Sequence, residues 1–128
     1  MDAPAFENLD LACARTGQAI AEKPSKELEK LVTSALAVLE EQGVYALFLF
    51  LEARRDKVAP SVERKVREFL KTTPRQAPLL PGGGDIFRSL QSMSEDLDKL
   101  LLARDLLRQA LVYARYHARG PQKSESRT

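Results

Sequence analysis

The feature that most constrains the fold of this chain is an apolar run of eight residues, VYALFLFL, at positions 44–51. The Tyr45 hydroxyl is the only polar side-chain group in that run. A helix that crosses a bilayer needs roughly 20 apolar residues, so the run is too short for a membrane anchor. An apolar run of this length is typical of either a buried strand or a buried helix.

The neighbouring sequence favours the helix. No other stretch has the alternation of a strand, and a lone strand would have no partner to pair with. The residues from Ala46 onward are mostly good helix formers, and a helix that is apolar on all sides is a buried one. We therefore predict a buried central helix from Val44 to about Lys57. Gly43 stands before it, in the position where a preceding helix commonly ends.

Two helices are predicted before the central one. The first covers about residues 4–22, with Pro4 near its start and only a weak apolar stripe. The second begins after Ser25, a favoured N-cap residue, and continues to Gly43. Its apolar residues recur at spacings of three and four, which is the pattern of an amphipathic helix. They are Leu28, Leu31, Val32, Ala35, Leu36 and Leu39.

The segment after the central helix is broken by turn-forming residues. Ser61 is predicted to cap a short helix that ends before Pro74. Residues 72–85 contain three prolines and three glycines, so we expect a loop there and the main internal site of flexibility. Asp85 is predicted to cap one helical turn.

The longest predicted helix lies near the end of the chain. Ser92 and Glu95 form a capping-box pattern that would open a helix over about residues 93–119. Its apolar residues follow a four-three repeat that only Arg104 interrupts. The glycine and proline at 120–121 predict its end.

These elements predict an all-α, single-domain bundle of five or six helices around a buried central helix. The chain has 128 residues, which is typical of one domain. We expect the bundle over residues 1–120 and a disordered polar tail over 121–128. The acidic start, MDAPAFENLD, is unlike a secretion signal, so we predict a cytoplasmic protein without a membrane-bound segment.

Catalytic and metal-binding chemistry have little support in the sequence. There is one histidine, His117, and one cysteine, Cys13, which is too few for a Cys/His zinc site. Cys13 lies on the apolar side of its predicted helix, where a packed thiol is more common than a reactive one. The PGGGD stretch at 81–85 lacks the Lys-Ser/Thr of a phosphate loop. We expect no enzyme activity, no cofactor and no metal.

Charge is distributed unevenly along the chain. Residues 1–53 contain four basic and nine acidic residues, whereas residues 54–75 contain eight basic and three acidic ones. Residues 76–103 are again acidic overall, and residues 104–128 are basic, with six cations and two carboxylates. Such asymmetry suggests an anionic partner, or contact between basic and acidic parts of neighbouring copies.

The basic residues fall on three parts of the predicted bundle. Four arginines of the last helix lie within a sector of roughly 60°. Three cations share one side of the fourth helix, and three more precede it. We predict that this set contacts nucleic-acid phosphates: Arg54, Arg55, Lys57, Arg64, Arg67, Lys71, Arg104, Arg108, Arg115 and Arg119. The alternative is a solvated surface with ion pairs such as Asp105 to Arg108 or Glu68 to Lys71.

Two stretches of the chain resemble a known family. LVTSALAVLEEQGVYALFLFLEARRDK is similar to the helix-glycine-helix segment of the small helical subunit of type III-B CRISPR RNA-guided effector (Cmr) complexes. Gly43, Phe48, Leu49 and Leu51 look like the matching positions. DLDKLLLARDLLRQALVYARYHAR is similar to the closing helix of that family. The tryptophan that the family carries near its end is absent, which leaves a small subunit of a related CRISPR class as an alternative.

The resemblance implies a non-catalytic role in antiviral defence. Copies of the subunit would stack along the inner filament of the complex, beside the guide RNA and the single-stranded target RNA. The acidic and basic blocks of the chain would suit head-to-tail contacts between such copies. Its protein partners would be the other subunits of the effector complex. The alternative function from a different class is a helical adaptor or regulator that binds protein and makes no contact with nucleic acid.

Overall fold

A computed structural model describes residues 7–54, 56–81 and 84–127, with only the backbone of residues 120–127. This part of the chain forms six α-helices and no strand, which confirms the all-α prediction. The helices are α1 (Leu9–Ile20), α2 (Lys26–Gln42), α3 (Val44–Ala53), α4 (Ala59–Thr72), α5 (Ile86–Ser94) and α6 (Leu97–Arg127). None of these helices combines the length and the apolarity that a bilayer crossing requires.

The junction of α2 and α3 is as predicted. The Ser25 hydroxyl accepts a hydrogen bond from the Leu28 N–H at 3.0 Å and so caps α2. Gly43 ends α2 with a φ of +99°, a conformation that other residues rarely adopt. Its N–H donates to the Leu39 carbonyl at 3.0 Å. This turn folds α3 directly back onto α2.

Helix α3 lies in the centre of the bundle, in contact with α2, α4, α5 and α6. Val44, Leu47, Phe48 and Leu51 are buried, as predicted. Leu49 is 47% exposed, however, so the prediction that α3 is buried on all sides is wrong. The neighbouring helices cover one side of this short helix, and its opposite side reaches solvent.

The predicted end of α3 is also wrong. The helix stops at Ala53 rather than near Lys57, because Arg54 has an extended backbone with ψ of 144°. The Arg54 guanidinium pairs instead with the Asp56 carboxylate at 2.8 Å. Arg54 and Lys57 therefore lie in the α3–α4 loop, and Arg55 between them lies outside the described residues.

Helix α4 begins earlier than predicted, and Ser61 does not cap it. The Asp56 carboxylate accepts a hydrogen bond from the Ala59 N–H at 3.1 Å. Pro60 follows within the first turn, where its missing N–H leaves no helix hydrogen bond unmade. Ser61 therefore lies inside α4, and the Asp56 carboxylate, not the Ser61 hydroxyl, accepts the hydrogen bond at the start of the helix.

The proline- and glycine-rich segment after α4 is anchored in the core, which the sequence did not predict. Leu79 and Leu80 are both buried. The Leu80 N–H donates to the Leu70 carbonyl at 3.0 Å, and the Leu79 N–H donates to the Thr73 carbonyl at 3.1 Å. Two leucines therefore attach the middle of this segment to the end of α4.

The boundary between α5 and α6 differs from the prediction. Asp85 caps α5 as expected, but α5 continues for nine residues and includes Ser92. The predicted capping box of Ser92 and Glu95 therefore does not open α6. Asp96 does so, because its carboxylate accepts a hydrogen bond from the Lys99 N–H at 3.2 Å.

The predicted apolar stripe of α6 is buried from Leu107 to Ala118, which confirms that part, but Leu97 and Leu100 at its start are not buried. Leu97 is 65% exposed, and Arg104 borders the buried side rather than interrupting it. The buried residues are Ala103, Leu106, Leu107, Ala110, Leu111, Ala114 and Ala118. The backbone of α6 also continues helical through positions 120–121, so the predicted stop there is wrong: one proline removes one hydrogen bond without ending the helix. The disordered tail over 121–128 stays a prediction.

Helix α1 begins at Leu9 because the Asn8 side chain accepts a hydrogen bond from the Leu11 N–H at 2.9 Å. The predicted start near Pro4 lies outside the described residues. Along its length α1 packs against α6, and Gly17 is the point of closest approach. A Cβ atom at Gly17 would lie 2.6 Å from the Tyr113 Cβ and 2.8 Å from the Ala110 carbonyl oxygen. The two helices can approach this closely only because position 17 has no side chain.

We predict that Gly17→Ala destabilises the protein. Alanine favours a helix by about 1 kcal/mol over glycine, but overpacking a tight contact costs about 1–3 kcal/mol. The midpoint of urea unfolding should therefore fall. Gln18→Ala, on the exposed side of the same helix, is the control and should leave the midpoint unchanged or raise it. A Gly17→Ala protein as stable as the wild type would contradict this account of the α1–α6 contact.

Candidate nucleic-acid interface

The four arginines predicted on the last helix, here called the α6 arginine row, lie beside its buried side and mostly face α2. They are Arg104, Arg108, Arg115 and Arg119. Arg104 donates to the backbone carbonyl of Glu40 at 3.4 Å. The Nε of Arg108 lies 3.5 Å from the Glu40 carboxylate. Arg119 pairs with Glu29, which lies about three turns before Glu40 on the same side of α2.

The α6 arginine row is therefore largely neutralised within the chain. Arg108 also pairs with Asp105 at 3.3 Å, which confirms that predicted ion pair. Each exposed ion pair of this kind contributes only about 0–1 kcal/mol to stability. Their main effect is to place carboxylates next to the guanidinium groups, which weakens the attraction of the row for a phosphate.

The cations of α4 are less completely paired. Arg67 pairs with Glu63 at 3.1 Å, one turn earlier on the same helix. Within the described part of the chain, no carboxylate lies within ion-pair distance of Arg64 or Lys71. The predicted Glu68–Lys71 pair is thus not formed, and Arg64 projects from α4 as an exposed cation.

In the α3–α4 loop, Arg54 and Lys57 have different surroundings. Arg54 is held by the Asp56 carboxylate, and its guanidinium lies 5.4 Å from the centre of the Phe50 ring. Lys57 is exposed, and no ion pair involves it among the described residues. Of the two loop cations that the structure describes, Lys57 is therefore the one that remains open to a ligand.

Lys57 and Arg64 line a cavity of about 310 Å³, here called the basic recess. It lies between the turn that follows α1, the α3–α4 loop and the first turns of α4. Lys23 and Lys65 also line it, so three segments of the chain contribute four cations. Glu22 is the one carboxylate among the described lining residues. The recess therefore carries a local excess of positive charge.

The deep part of the basic recess is apolar. Ile20, Leu28 and Val62 line it and are buried, and Val58 is half-buried beside them. The exposed cations surround the recess at the surface, above these buried side chains, which leave almost no apolar area open to solvent. The Ser61 hydroxyl also lines the recess and can donate or accept a hydrogen bond.

Lys65 holds the two walls of the basic recess together. Its Nζ donates to the backbone carbonyl of Ala19 at 2.6 Å and lies 3.5 Å from the Glu22 carboxylate. Ala19 is in the last turn of α1, and its carbonyl also accepts a hydrogen bond from the Glu22 N–H at 3.3 Å. Lys65 therefore ties the end of α1 to α4.

Sequence reasoning found only half of this cluster. Lys57 and Arg64 were among the predicted phosphate contacts, whereas Lys23 and Lys65 were not. Lys23 belongs to the acidic N-terminal block, and no spacing in the sequence connects it with Arg64. The packing of α1 on α4 brings them together, and that contact is visible only in three dimensions.

Among the residues that the structure describes, no three side chains of the His, Cys, Asp or Glu type come together as metal ligands. Cys13 is buried, and its thiol donates weakly to the Leu106 carbonyl at 3.5 Å. Burial, with the nearby Asp10 carboxylate, raises the pKa of the Cys13 thiol to about 11. The Tyr113 hydroxyl donates to Asp10 at 2.8 Å, which raises the pKa of that tyrosine.

Comparisons with family models, with curated proteins and with solved structures find no match for this chain.

We predict that the Cys13 thiol of the native protein reacts slowly with a disulfide reagent. At about pH 8, a thiol with a pKa near 11 is a reactive thiolate roughly one time in a thousand. The reaction should be at least about 100-fold slower than in protein unfolded by guanidinium at the same pH. Equal rates before and after unfolding would show that the thiol is accessible and ionised in the native state.

Proposed function

We propose that this protein is a non-catalytic, RNA-contacting subunit that binds phosphates through the basic recess and the adjoining face of α4. The RNA-guided effector complex of type III-B CRISPR systems is the assembly that the sequence resemblance suggests. In that setting its partners are guide RNA, single-stranded target RNA, other effector subunits and further copies of itself.

The observation that carries this proposal is the convergence of four cations around one recess. Lys57 and Arg64 have no ion-pair partner among the described residues, and Lys23 lies beside them. In the α6 arginine row, by contrast, Arg104, Arg108 and Arg119 all face carboxylates of α2. A phosphate group meets more uncompensated positive charge at the recess than along α6.

The mechanism would be neutralisation of phosphate charge. Lysine and arginine that contact phosphates release the counterions condensed on the nucleic acid, so affinity falls steeply with salt. Such contacts position a strand but carry no information about its bases. A subunit of this kind holds RNA in register while other subunits perform the chemistry.

A second candidate function, a protein-binding adaptor, is favoured by two exposed leucines. Leu97 and Leu101 lie one turn apart at the start of α6 and are 65% and 46% exposed. Together with Leu49 of α3 they are apolar groups that a partner protein could cover. An adaptor would purify with a protein partner and without RNA, and would show no salt-dependent binding to single-stranded RNA.

We predict that removing two charges at the basic recess weakens RNA binding. The double variant Lys57→Gln/Arg64→Gln should bind a single-stranded RNA about tenfold more weakly at roughly 100 mM salt. The slope of log affinity against log salt should become shallower by about 1.4, the value for two phosphate contacts on a single strand. Fluorescence anisotropy over a salt series measures both quantities.

The matched control removes two charges from the α6 arginine row. Arg104→Gln/Arg108→Gln should change affinity and salt slope much less, since Glu40 and Asp105 together already compensate the two arginines. A larger loss of RNA affinity in Arg104→Gln/Arg108→Gln than in Lys57→Gln/Arg64→Gln would place the RNA contact on α6. If the wild-type protein shows no salt-dependent affinity for RNA, the proposed RNA contact is wrong and the adaptor function is favoured.

A further inference from the structure

A second cavity lies beside the basic recess, between the later half of α1, the turn that follows α1 and the end of α6. Its volume is about 770 Å³, and it is here called the tyrosine groove. Among its lining residues are Arg15, Gln18, Ala19, Pro24, Tyr116 and His117. The phosphate contacts proposed above make no use of this cavity.

We infer that the tyrosine groove binds an unpaired base of the same RNA strand whose phosphates lie at the basic recess. This inference rests on the proposed RNA contact, and it adds a second site that only a strand with accessible bases can fill. Glu22 lines both cavities, so the groove and the recess adjoin at the turn after α1. One strand can therefore reach from one cavity to the other.

The ring of Tyr116 offers an aromatic surface that is open to a ligand. Tyr116 is 64% exposed, and the neighbouring groove residues Ala19 and Pro24 are exposed as well. In the described part of the chain the aromatic rings in contact are Tyr45 and Phe87, so the Tyr116 ring has no aromatic partner. Every base has a flat face, so a base stacks on such a ring whatever its identity.

The polar residues of the tyrosine groove suit the other parts of a nucleotide. The Gln18 amide and the His117 imidazole are exposed, and both can form hydrogen bonds with the edge of a base. Arg15 is exposed too, and no carboxylate of the described residues lies within ion-pair distance of it. Its guanidinium can therefore bind the phosphate of the nucleotide that stacks on Tyr116.

The junction between the two cavities is compatible with a polyanion. Glu22 lies there, but its carboxylate is 3.5 Å from the Lys65 Nζ, which partly compensates its charge. The next residue, Lys23, is an exposed cation that lines the basic recess. A strand that crosses the turn after α1 therefore passes Lys23 between the cations of the recess and Arg15 of the groove.

The tyrosine groove selects single-stranded over double-stranded RNA. Its volume of about 770 Å³ is within the usual range for sites that hold small organic ligands, so one nucleotide can enter it. In a duplex the face of each base is covered by its neighbours, and aromatic side chains stack on bases of single strands. A duplex could use the cations of the recess but not the Tyr116 ring.

A protein partner would fit this groove less well. An aliphatic side chain placed on the Tyr116 ring would leave Gln18 and His117 without partners for their hydrogen-bonding groups. An acidic side chain would use Arg15 but not the ring. A nucleotide combines a flat face, a polar edge and a negative charge, and the groove offers a complementary group for each.

The test measures the affinity of the intact wild type, Tyr116→Ala and Tyr116→Phe for one single-stranded RNA by fluorescence anisotropy. Loss of the ring should weaken binding about five- to 100-fold, the range for one stacked base. Tyr116→Phe keeps the ring and should bind within about twofold of the wild type. The salt slope should be the same for all three proteins, because no charge is removed. Equal affinity of the wild type and Tyr116→Ala would overturn the inference.

The same strand carrying abasic sites shows whether the ring contacts a base. The wild type should bind it about five- to 100-fold more weakly than the normal strand, whereas Tyr116→Ala should bind both strands equally. For a duplex of the same sequence, the wild type and Tyr116→Ala should have equal affinity. If Tyr116→Ala weakened binding to all three RNAs to the same extent, the ring would not contact a base and the inference would be wrong.

Two control variants separate this site from its surroundings. Leu101→Ala removes an exposed apolar side chain from the other end of α6 and should leave RNA affinity unchanged. A loss as large as that of Tyr116→Ala would overturn the specific role of the ring. Lys57→Gln/Arg64→Gln should have a shallower salt slope but keep the preference for normal over abasic RNA. Failure of the proposed function looks different, because the wild-type protein would then bind none of the three RNAs.

Discussion

The contact between α1 and α6 determines where the rest of the bundle lies. Small residues on both sides, Gly17 on α1 and Ala110 and Ala114 on α6, allow the two backbones to approach within a distance that no larger side chain permits. Because α1 is held there, its last turn contacts α4, and the Lys65 Nζ donates a hydrogen bond to the Ala19 carbonyl. The basic recess exists because of that placement, so a packing constraint on one side of the bundle creates the charged site on another.

Electrostatic asymmetry in the sequence suggested an outside anion or a contact between neighbouring copies of the protein. The structure adds a third explanation, because acidic and basic blocks pair within one chain. The acidic α2 and the basic α6 pack together, and Glu29 and Glu40 compensate most of the α6 arginine row. Lys57 of the α3–α4 loop and Arg64 and Lys71 of α4 are among the described cations that keep an uncompensated charge. Summing charge along the chain could not distinguish these cases, because pairing depends on which helices become neighbours.

Local signals in the sequence were sufficient for part of the fold. Ser25, Gly43 and Asp85 act within a few residues of themselves, and the helix boundaries that they mark were predicted correctly. The predicted starts of α4 and α6 were wrong, because in each case the sequence offers two possible capping residues. Asp56 caps α4 instead of Ser61, and Asp96 caps α6 instead of Ser92. The predicted stripe of α6 was correct from Leu107 to Ala118, but it included the exposed Leu97. It also omitted Ala103 and Ala110, because alanine at a close helix contact is as much a core residue as leucine. No local sequence pattern indicates that Lys23 and Arg64 line the same recess.

The attachment of Lys65 to Ala19 has a consequence for any anion that enters the recess. Lysine side chains normally lose about 1.5–2 kcal/mol of rotamer entropy when they are fixed by a ligand. Lys65 has already lost that freedom on folding, through its bond to the end of α1. It therefore offers a positive charge whose position is set before the ligand arrives, while Lys23, Lys57 and Arg64 adapt around it. Binding to such a partly preorganised site costs less ordering than binding to four freely moving side chains.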